Sequence, residues 1–240
     1  MSGLGTAINA AAILVGGIIG VLCKKLIKES YQDTIIKATA ISVMFIGAGG
    51  TFAKMLAVSG EGQTTLATTG TLTVVLSMVL GALVGEICDI DARFNQFGAW
   101  LKHKTGSDGD SQFINGFVTA SLTVSIGAMG IMGAIQDGLY ADYTTLVAKA
   151  VIDFVIILIM ASSMGKGCIF SFIPVIVFQG MITALAVVLS GFLTDAVLDC
   201  LSMVGNILIF CVGLNLLRPN IIKVANLLPA IVVAVIFGLM

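Results

Sequence analysis

Residues 113–136 read FINGFVTASLTVSIGAMGIMGAIQ, a run without one charged side chain. A helix needs about 20 mostly apolar residues to cross the hydrocarbon core of a bilayer, and this stretch supplies them. Inside hydrocarbon every backbone N–H and C=O must find a partner within the protein, so only helices and closed barrels cross. The alternating polar pattern of a membrane barrel is absent, and the run is expected to be helical. Apolar runs of the same kind lie at about 4–23, 35–57, 65–87, 144–164, 170–194, 200–217 and 224–240. The sequence therefore predicts an all-α polytopic membrane protein of about eight transmembrane helices, with residues 1–240 forming one membrane domain. The last run, 17 residues with Pro229 inside, either spans or re-enters.

Composition agrees. Of 240 residues 58% are hydrophobic and 10% charged, with a mean hydropathy of +1.10, against roughly 25% charged residues in soluble chains. Twelve Lys and Arg oppose 13 Asp and Glu, so no basic surface exists to hold nucleic acid. Five cysteines, Cys23, Cys88, Cys168, Cys200 and Cys211, show neither paired nor zinc-binding spacing, and His103 lies between two lysines as a solvated loop residue. No metal or cofactor site is expected. The opening MSGLGTAINAAAILVGGIIG has no cationic n-region and no cleavage pattern, so it reads as a first span.

Cytoplasmic loops collect Lys and Arg. Lys24, Lys25, Lys28 and Lys37 surround the first connection, Arg93, Lys102 and Lys104 follow the third run, Lys166 the fifth, and Arg218 and Lys223 the seventh. Eight alternating spans put all ten on one side and leave both termini outside, with Lys54 alone facing outward and Lys149 inside a span. The cytoplasmic connection at about 88–111, CDIDARFNQFGAWLKHKTGSDGDS, places Ile90, Phe94, Phe97 and Leu101 on one helical stripe. That stripe suits either an interfacial helix or packing on the protein itself.

Sliding the chain by 80 residues lays Ile46-Gly47-Ala48 on Ile126-Gly127-Ala128, Gly50 on Gly130, Thr64-Thr65-Leu66 on Thr144-Thr145-Leu146, and Cys88 on Cys168. Spans two and three then form a repeat unit at about 39–88, copied at about 119–168 by spans four and five. A shift of 65 lays Gly16, Gly20 and Cys23 on Gly81, Gly85 and Cys88.

The chemistry-bearing candidates sit inside these runs. Gly47, Gly49 and Gly50 fall roughly 18 to 22 Å from the cytoplasmic start of the second span, and Gly127 and Gly130 reach a similar depth in the fourth. Glycine costs a helix about 1 kcal/mol relative to alanine, and glycine-interrupted helices at matching repeat positions point to a transporter's binding site. The other reading of the same glycines is close helix packing, which is the favoured one for Gly16-x-x-x-Gly20 and Gly81-x-x-x-Gly85. Lys149 and Asp153 are one turn apart on one face, and charges at such depth mark ion or substrate sites by default. Asp153 is the better candidate, because Lys149 has the length to snorkel outward. Two roles stay open for Asp153: a proton or cation site, or the fixed counter-ion of Lys149. Asn9 and Gln179 join the substrate or ion site as neutral ligands or serve as interhelical glue, and Gln136-Asp137 at the outer end of the fourth span reads as a gate or a turn. No Walker loop, Ser/His/Asp set or HExxH is present, so an enzyme is not expected.

The segments GLGTAINAAAILVGGIIG (3–20), SLTVSIGAMGIMGAIQDGL (121–139), LVAKAVIDF (146–154) and GLNLLRPNIIKVANLLPA (213–230) resemble the YdfK and YqgA family of bacterial inner-membrane proteins. That is a domain-of-unknown-function family usually labelled as transport proteins. The resemblance covers nearly the whole chain and matches at Asn9, Gly127, Gly130, Gln136, Asp137, Lys149, Asp153, Asn215, Asn226 and Pro229. It implies a bacterial cytoplasmic membrane and transport, and names no substrate. The expectation is a secondary transporter or channel for a small solute or ion, with a mid-membrane site between Gly-broken helices. Its partners are the lipid bilayer and the solute, with a homo-oligomer formed through small-residue helix faces. The alternative is a non-transporting membrane scaffold or a subunit of a membrane complex. A polar cavity bounded by spans two, four and five favours transport; dry packing there, with an apolar groove toward lipid, favours the scaffold.

Overall fold

The computed structural model describes residues 2–24, 28–59, 65–125, 128–186, 188, 191, 194–219 and 221–240. It is an all-helical membrane protein. The helices are α1 (Leu4–Lys24), α2 (Glu29–Met55), α3 (Thr71–Cys88), α4 (Ile90–Lys104), α5 (Phe113–Ser125), α6 (Ala128–Tyr140), α7 (Thr144–Met164), α8 (Phe172–Ala184), α9 (Asp195–Leu217) and α10 (Pro229–Gly238). Short 3-10 turns, Lys166–Ser171 and Val224–Leu227, lead into α8 and α10. Among the described residues, six helical stretches are long and apolar enough to cross a bilayer: α1, α2, α3, α7, Lys166–Ala184 and α9. The pair α5 and α6, bent by 61°, adds a seventh if it is one broken span and none if it is a re-entrant loop. The eighth apolar run forms only the helical segment Val224–Gly238, about 22 Å at 1.5 Å per residue, short of a bilayer core of about 30 Å. By length and composition, six to seven candidate crossings thus stand among the described residues where eight runs were counted, although Val224–Gly238 still reaches from Asn226 beside Glu86 to Gly238 beside Val197.

Two further differences from the sequence reading have local causes. Residues 65–68 are not the start of the third span: Leu56–Ser59 and Thr65–Thr68 pair antiparallel as β1 and β2, with Leu56 opposite Thr68. The Thr-rich run after them holds back the helix until Gly70, whose left-handed φ of +70° turns the chain into α3. The second span is one unbroken helix of 27 residues through Gly47, Gly49 and Gly50.

Small residues set the helix contacts. Gly16 and Gly20 let α1 lie against the backbone of α7 at Phe154 and Leu158, and Gly81 and Gly85 let α3 lie against Ala230 and Asn226. Gly47 and Gly50 do the same for α2 against Asn206 and Phe210 of α9. Without a hydrophobic drive between helices in lipid, close approach and dispersion carry the association. The main core cluster joins Ile13, Val43, Val124, Ile157 and Val175, from five different helices.

The basic residues gather at one end. Lys24 and Asp110 close on Gly165, Ser163 Oγ donates to the Gln32 carbonyl, and Asn226 Nδ2 donates to Glu86 at 2.6 Å. Here α4 packs its stripe on α5, with Leu101 5% exposed and Phe97 stacked on Trp100. At the opposite end Lys54 pairs with Asp199 at 2.6 Å, the start of α1 meets Asp137, and Gly238 packs on Val197. The chain therefore begins and ends at the same end of the molecule.

A buried ion pair at a helix break

The break between α5 and α6 falls in SIGAMG (residues 125–130), where two glycines weaken the helix. Gly127 itself lies outside the described residues. A helix that stops inside a membrane leaves its last carbonyls without intrahelical partners. One of them, Val124, accepts a hydrogen bond of 2.8 Å from Lys149 Nζ. A cation at a helix C-terminus also complements the dipole. The same ammonium donates to Asp153 Oδ2 one turn further along α7. Lys149 is 6% exposed and Asp153 3%, so the lysine turns inward rather than snorkelling.

Around the pair stand residues from three other helices. Asn9 of α1 faces Asp153 and donates from Nδ2 to Gln179 Oε1 of α8 at 3.4 Å. Gly130 in α6 makes room: a Cβ there would meet Lys149 Cε at 3.2 Å and Gln179 Nε2 at 3.4 Å. The structure thus brings together Asn9, Gly130, Lys149, Asp153 and Gln179. Gly47 and Gly50 instead face α9, and Gly49 has nothing within 4 Å of its Cβ position.

Lys149 and Asp153 line a cavity of about 310 Å³. Its walls come from α2 (Val43, Ile46), α5 (Thr123), α6 (Met129) and α7, the spans expected to bound the site, and also from α9 (Ser202, Asn206), which was not among them. Aliphatic side chains form most of the rim, with Ile46 and Ile152 exposed, and of the polar lining groups Asn206 donates to Ser202 at 3.2 Å. Sequence reasoning missed Ser202 and the Val124 carbonyl; no side-chain pattern marks a freed backbone oxygen.

At the end away from the basic residues, α1, α6 and α7 are tied together. Asp137, fully buried, accepts hydrogen bonds from the backbone N–H groups of Gly3 and Gly5 at 3.1 and 2.9 Å and so caps the start of α1. Thr145 Oγ1 donates to Gln136 at 2.6 Å, tying α6 to α7. Gln136 and Asp137, expected as a gate or a turn, thus join α6 to α7 and to the start of α1.

Toward the basic end lies a second cavity, of about 480 Å³, between α4, α5, α9 and the turn before α10. Asp91, Asn95, Ser111, Asn115, Thr119 and Asn215 give it a polar wall. Burial pushes the Asp91 carboxyl above its ordinary range, against the pull of the Lys223 ammonium. Glu86 holds Lys223 above the usual lysine range through a hydrogen bond of 2.7 Å. An apolar groove of about 340 Å³ runs separately between α5, α8, α9 and α10.

Comparisons with known proteins extend over nearly all of this architecture. The family described as "Protein of unknown function (DUF554)" matches residues 4–239. The uncharacterized membrane protein YdfK of Bacillus subtilis (strain 168) is 28% identical over 229 residues, covering 95% of this chain and 93% of YdfK. The uncharacterized protein YqgA of Escherichia coli (strain K12) is 27% identical over 235 residues, covering 96% and 94%. No solved structure matches the chain.

Proposed function

The chain belongs to the DUF554 family, whose function is unknown, and from its multi-span architecture we propose that it carries a small solute or ion across the bacterial cytoplasmic membrane, as a secondary transporter or channel. The observation that carries this reading is the Lys149–Asp153 pair facing a cavity at the break between α5 and α6. Burying two charges costs several kcal/mol per ion, and an apolar pair of similar volume is often as stable or more so. Fold stability alone does not account for an intramembrane pair that lines a cavity; a solute that exchanges with its charges does. Half-helices whose freed backbone groups face a mid-membrane site are the construction that transporters use.

In this reading Asp153 supplies the charge for coupling or for a cationic group, and Lys149 is its internal partner when the site is empty. Asn9 and Gln179 position the pair from α1 and α8. The duplicated units at 39–88 and 119–168 have diverged: one keeps α2 as an unbroken support, and the other opens as α5 and α6. The basic end faces the cytoplasm, and both termini lie outside. The small-residue faces of α1 and α3 are filled within the chain, so a homo-oligomer would use other surfaces. The chain acts by moving a solute, with no covalent chemistry.

The test is uptake. Proteoliposomes are given a defined mixture of amino acids, polyols, organic acids and monovalent salts, and their contents are read by mass spectrometry across pH 5 to 8. Wild type accumulates at least one component, and Asp153→Asn abolishes that accumulation or flattens its pH dependence. Unchanged uptake and pH profile in Asp153→Asn overturn the coupling role. The scaffold reading, which the apolar groove favours, predicts contents equal to those of protein-free liposomes.

A further inference from the structure

The two cavities lie end to end along the same two helices. On α5, Asn115 and Thr119 line the larger one and Thr123 the smaller; on α9, Asn215 and Val212 line the larger one, and Ile209 and Asn206 the smaller. Thr119 and Thr123 are one helical turn apart, about 5 to 6 Å, and Thr123 Oγ1 donates to the Thr119 carbonyl at 2.7 Å. Thr119 Oγ1 donates in turn to Asn115 Oδ1 at 3.4 Å. A file of neutral hydrogen-bonding groups therefore runs from the basic end to the ion pair. Leu122 and Val212 line the larger cavity, respectively next in sequence to Thr123 and three residues from Ile209 of the smaller one, and pack in one apolar cluster.

We propose that the larger cavity is a vestibule and an upstream binding site for the solute of the inner cavity, joined to it past Leu122 and Val212, and that the route takes small polar solutes without net charge, zwitterions included. This rests on the transport reading of the inner cavity. The charged groups lining the route come in opposite signs at its two ends, Asp91 with Lys223 at the mouth and Asp153 with Lys149 at the bottom. Between them the lining offers amides, hydroxyls and aliphatic side chains, with no counter-charge for an ion stripped of water at the constriction. A lone charge there meets the full cost of desolvation. A solute that is neutral or carries both signs leaves each end balanced. At the opposite end the bonds from Gly3 and Gly5 to Asp137 and the Gln136–Thr145 bond hold α1, α6 and α7 together.

Thiol chemistry tests this without knowing the solute. Thr119→Cys and Thr123→Cys are reacted in proteoliposomes of known orientation with a neutral hydroxyethyl, a cationic trimethylammonium-ethyl and an anionic sulfonatoethyl methanethiosulfonate. Modification is read at each position by peptide mass spectrometry, so the native cysteines do not interfere. The vestibule position reacts with both charged reagents from the basic end only. The inner position reacts with the neutral reagent at least tenfold faster than with either charged one. Leu122→Ala speeds that reaction severalfold and Leu122→Trp slows it. Equal rates for neutral and charged reagents at position 123 overturn the solute class. Modification of position 123 from the opposite face, or a rate indifferent to both Leu122 variants, overturns the route and leaves the inner cavity standing. A position 123 that no reagent reaches from either face removes the inner cavity as a wet site, and the transport reading with it.

Discussion

Lys149 shows how one residue answers two needs: it satisfies the Val124 carbonyl freed by the helix break and neutralises Asp153. Removing one member of a buried pair strands the other, at a cost of about 3–5 kcal/mol, whereas an apolar pair of the same volume is nearly neutral. Lys149→Met alone is therefore expected to lower the unfolding midpoint in detergent far more than Lys149→Met combined with Asp153→Leu, as differential scanning fluorimetry would show. If the double variant is the less stable, the pair is structural. Asp137 carries a separate expectation. As the cap of α1 it contributes about 0.5–2 kcal/mol, so Asp137→Ala should speed amide exchange in the first turn of α1 while Asp137→Asn retains protection. Equal protection in both variants would remove the capping role.

A third residue sets a pH response at the start of α7. Asp142 accepts hydrogen bonds from the Thr144 side chain and from its backbone N–H, at 3.0 Å for the latter, and these hold its carboxyl below the ordinary carboxylate value. A carboxyl lowered on folding adds stability that is complete above its unfolded value and fades as pH falls through its folded value. The stability difference between wild type and Asp142→Asn should be flat at neutral pH and shrink on acidification below the usual carboxylate range. A difference that grows on acidification would contradict this assignment.

At the scale of elements, the two glycine clusters look alike in sequence and serve differently. In α2 the spacing of Gly47 and Gly50 creates a face on which Asn206 and Phe210 settle, and the helix stays whole. In the fourth span the glycines coincide with a 61° bend. Sequence alone cannot separate the two, because the cost of glycine is local while the gain that decides the outcome comes from the neighbour: α9 in one case, the Lys149 ammonium in the other. Gly49, with nothing near its Cβ position, gives a clean control. Gly49→Ala should leave stability unchanged or raise it by up to about 1 kcal/mol, whereas Gly47→Ala, whose Cβ would sit 2.6 Å from the Asn206 carbonyl oxygen and the Phe210 nitrogen, should lower it. Thermal unfolding of the two variants side by side decides, and a stable Gly47→Ala would show that α2 and α9 are not held by this contact. The strand pair 56–59 and 65–68 was hidden in the apolar runs at 35–57 and 65–87, whose edges it overlaps, and β-branched threonine shifts the balance toward strand.

For the whole molecule, the alternation of apolar runs with Lys and Arg carried much of the architecture, since the basic residues collect at one end and the chain begins and ends at the other. The number of crossings was less legible, because hydropathy counts runs and not lengths: the run at 224–240 is largely apolar, yet its helical part, Val224–Gly238, is shorter than the other candidate spans. The site was half legible. Charges at depth announced Lys149 and Asp153, and Asn9 and Gln179 followed as amides in apolar helices, but nothing in the chain says that Ser202 and the Val124 carbonyl join them, since that depends on how α5 ends and where α9 lies. The seating of α4 on the basic end of α5 was likewise one of two readings that its stripe allowed, and the contacts of Leu101 and Phe97 with α5 decide it.

The most direct measurement compares uptake of the same solute mixture by wild type and by the Lys149→Met/Asp153→Leu double variant, which keeps the shape of the pair and removes both charges, after both are shown to unfold cooperatively at similar temperatures. The account predicts accumulation by wild type and none by the folded double variant. Equal accumulation by the two would place the solute's path elsewhere and leave the charged pair without a part in it.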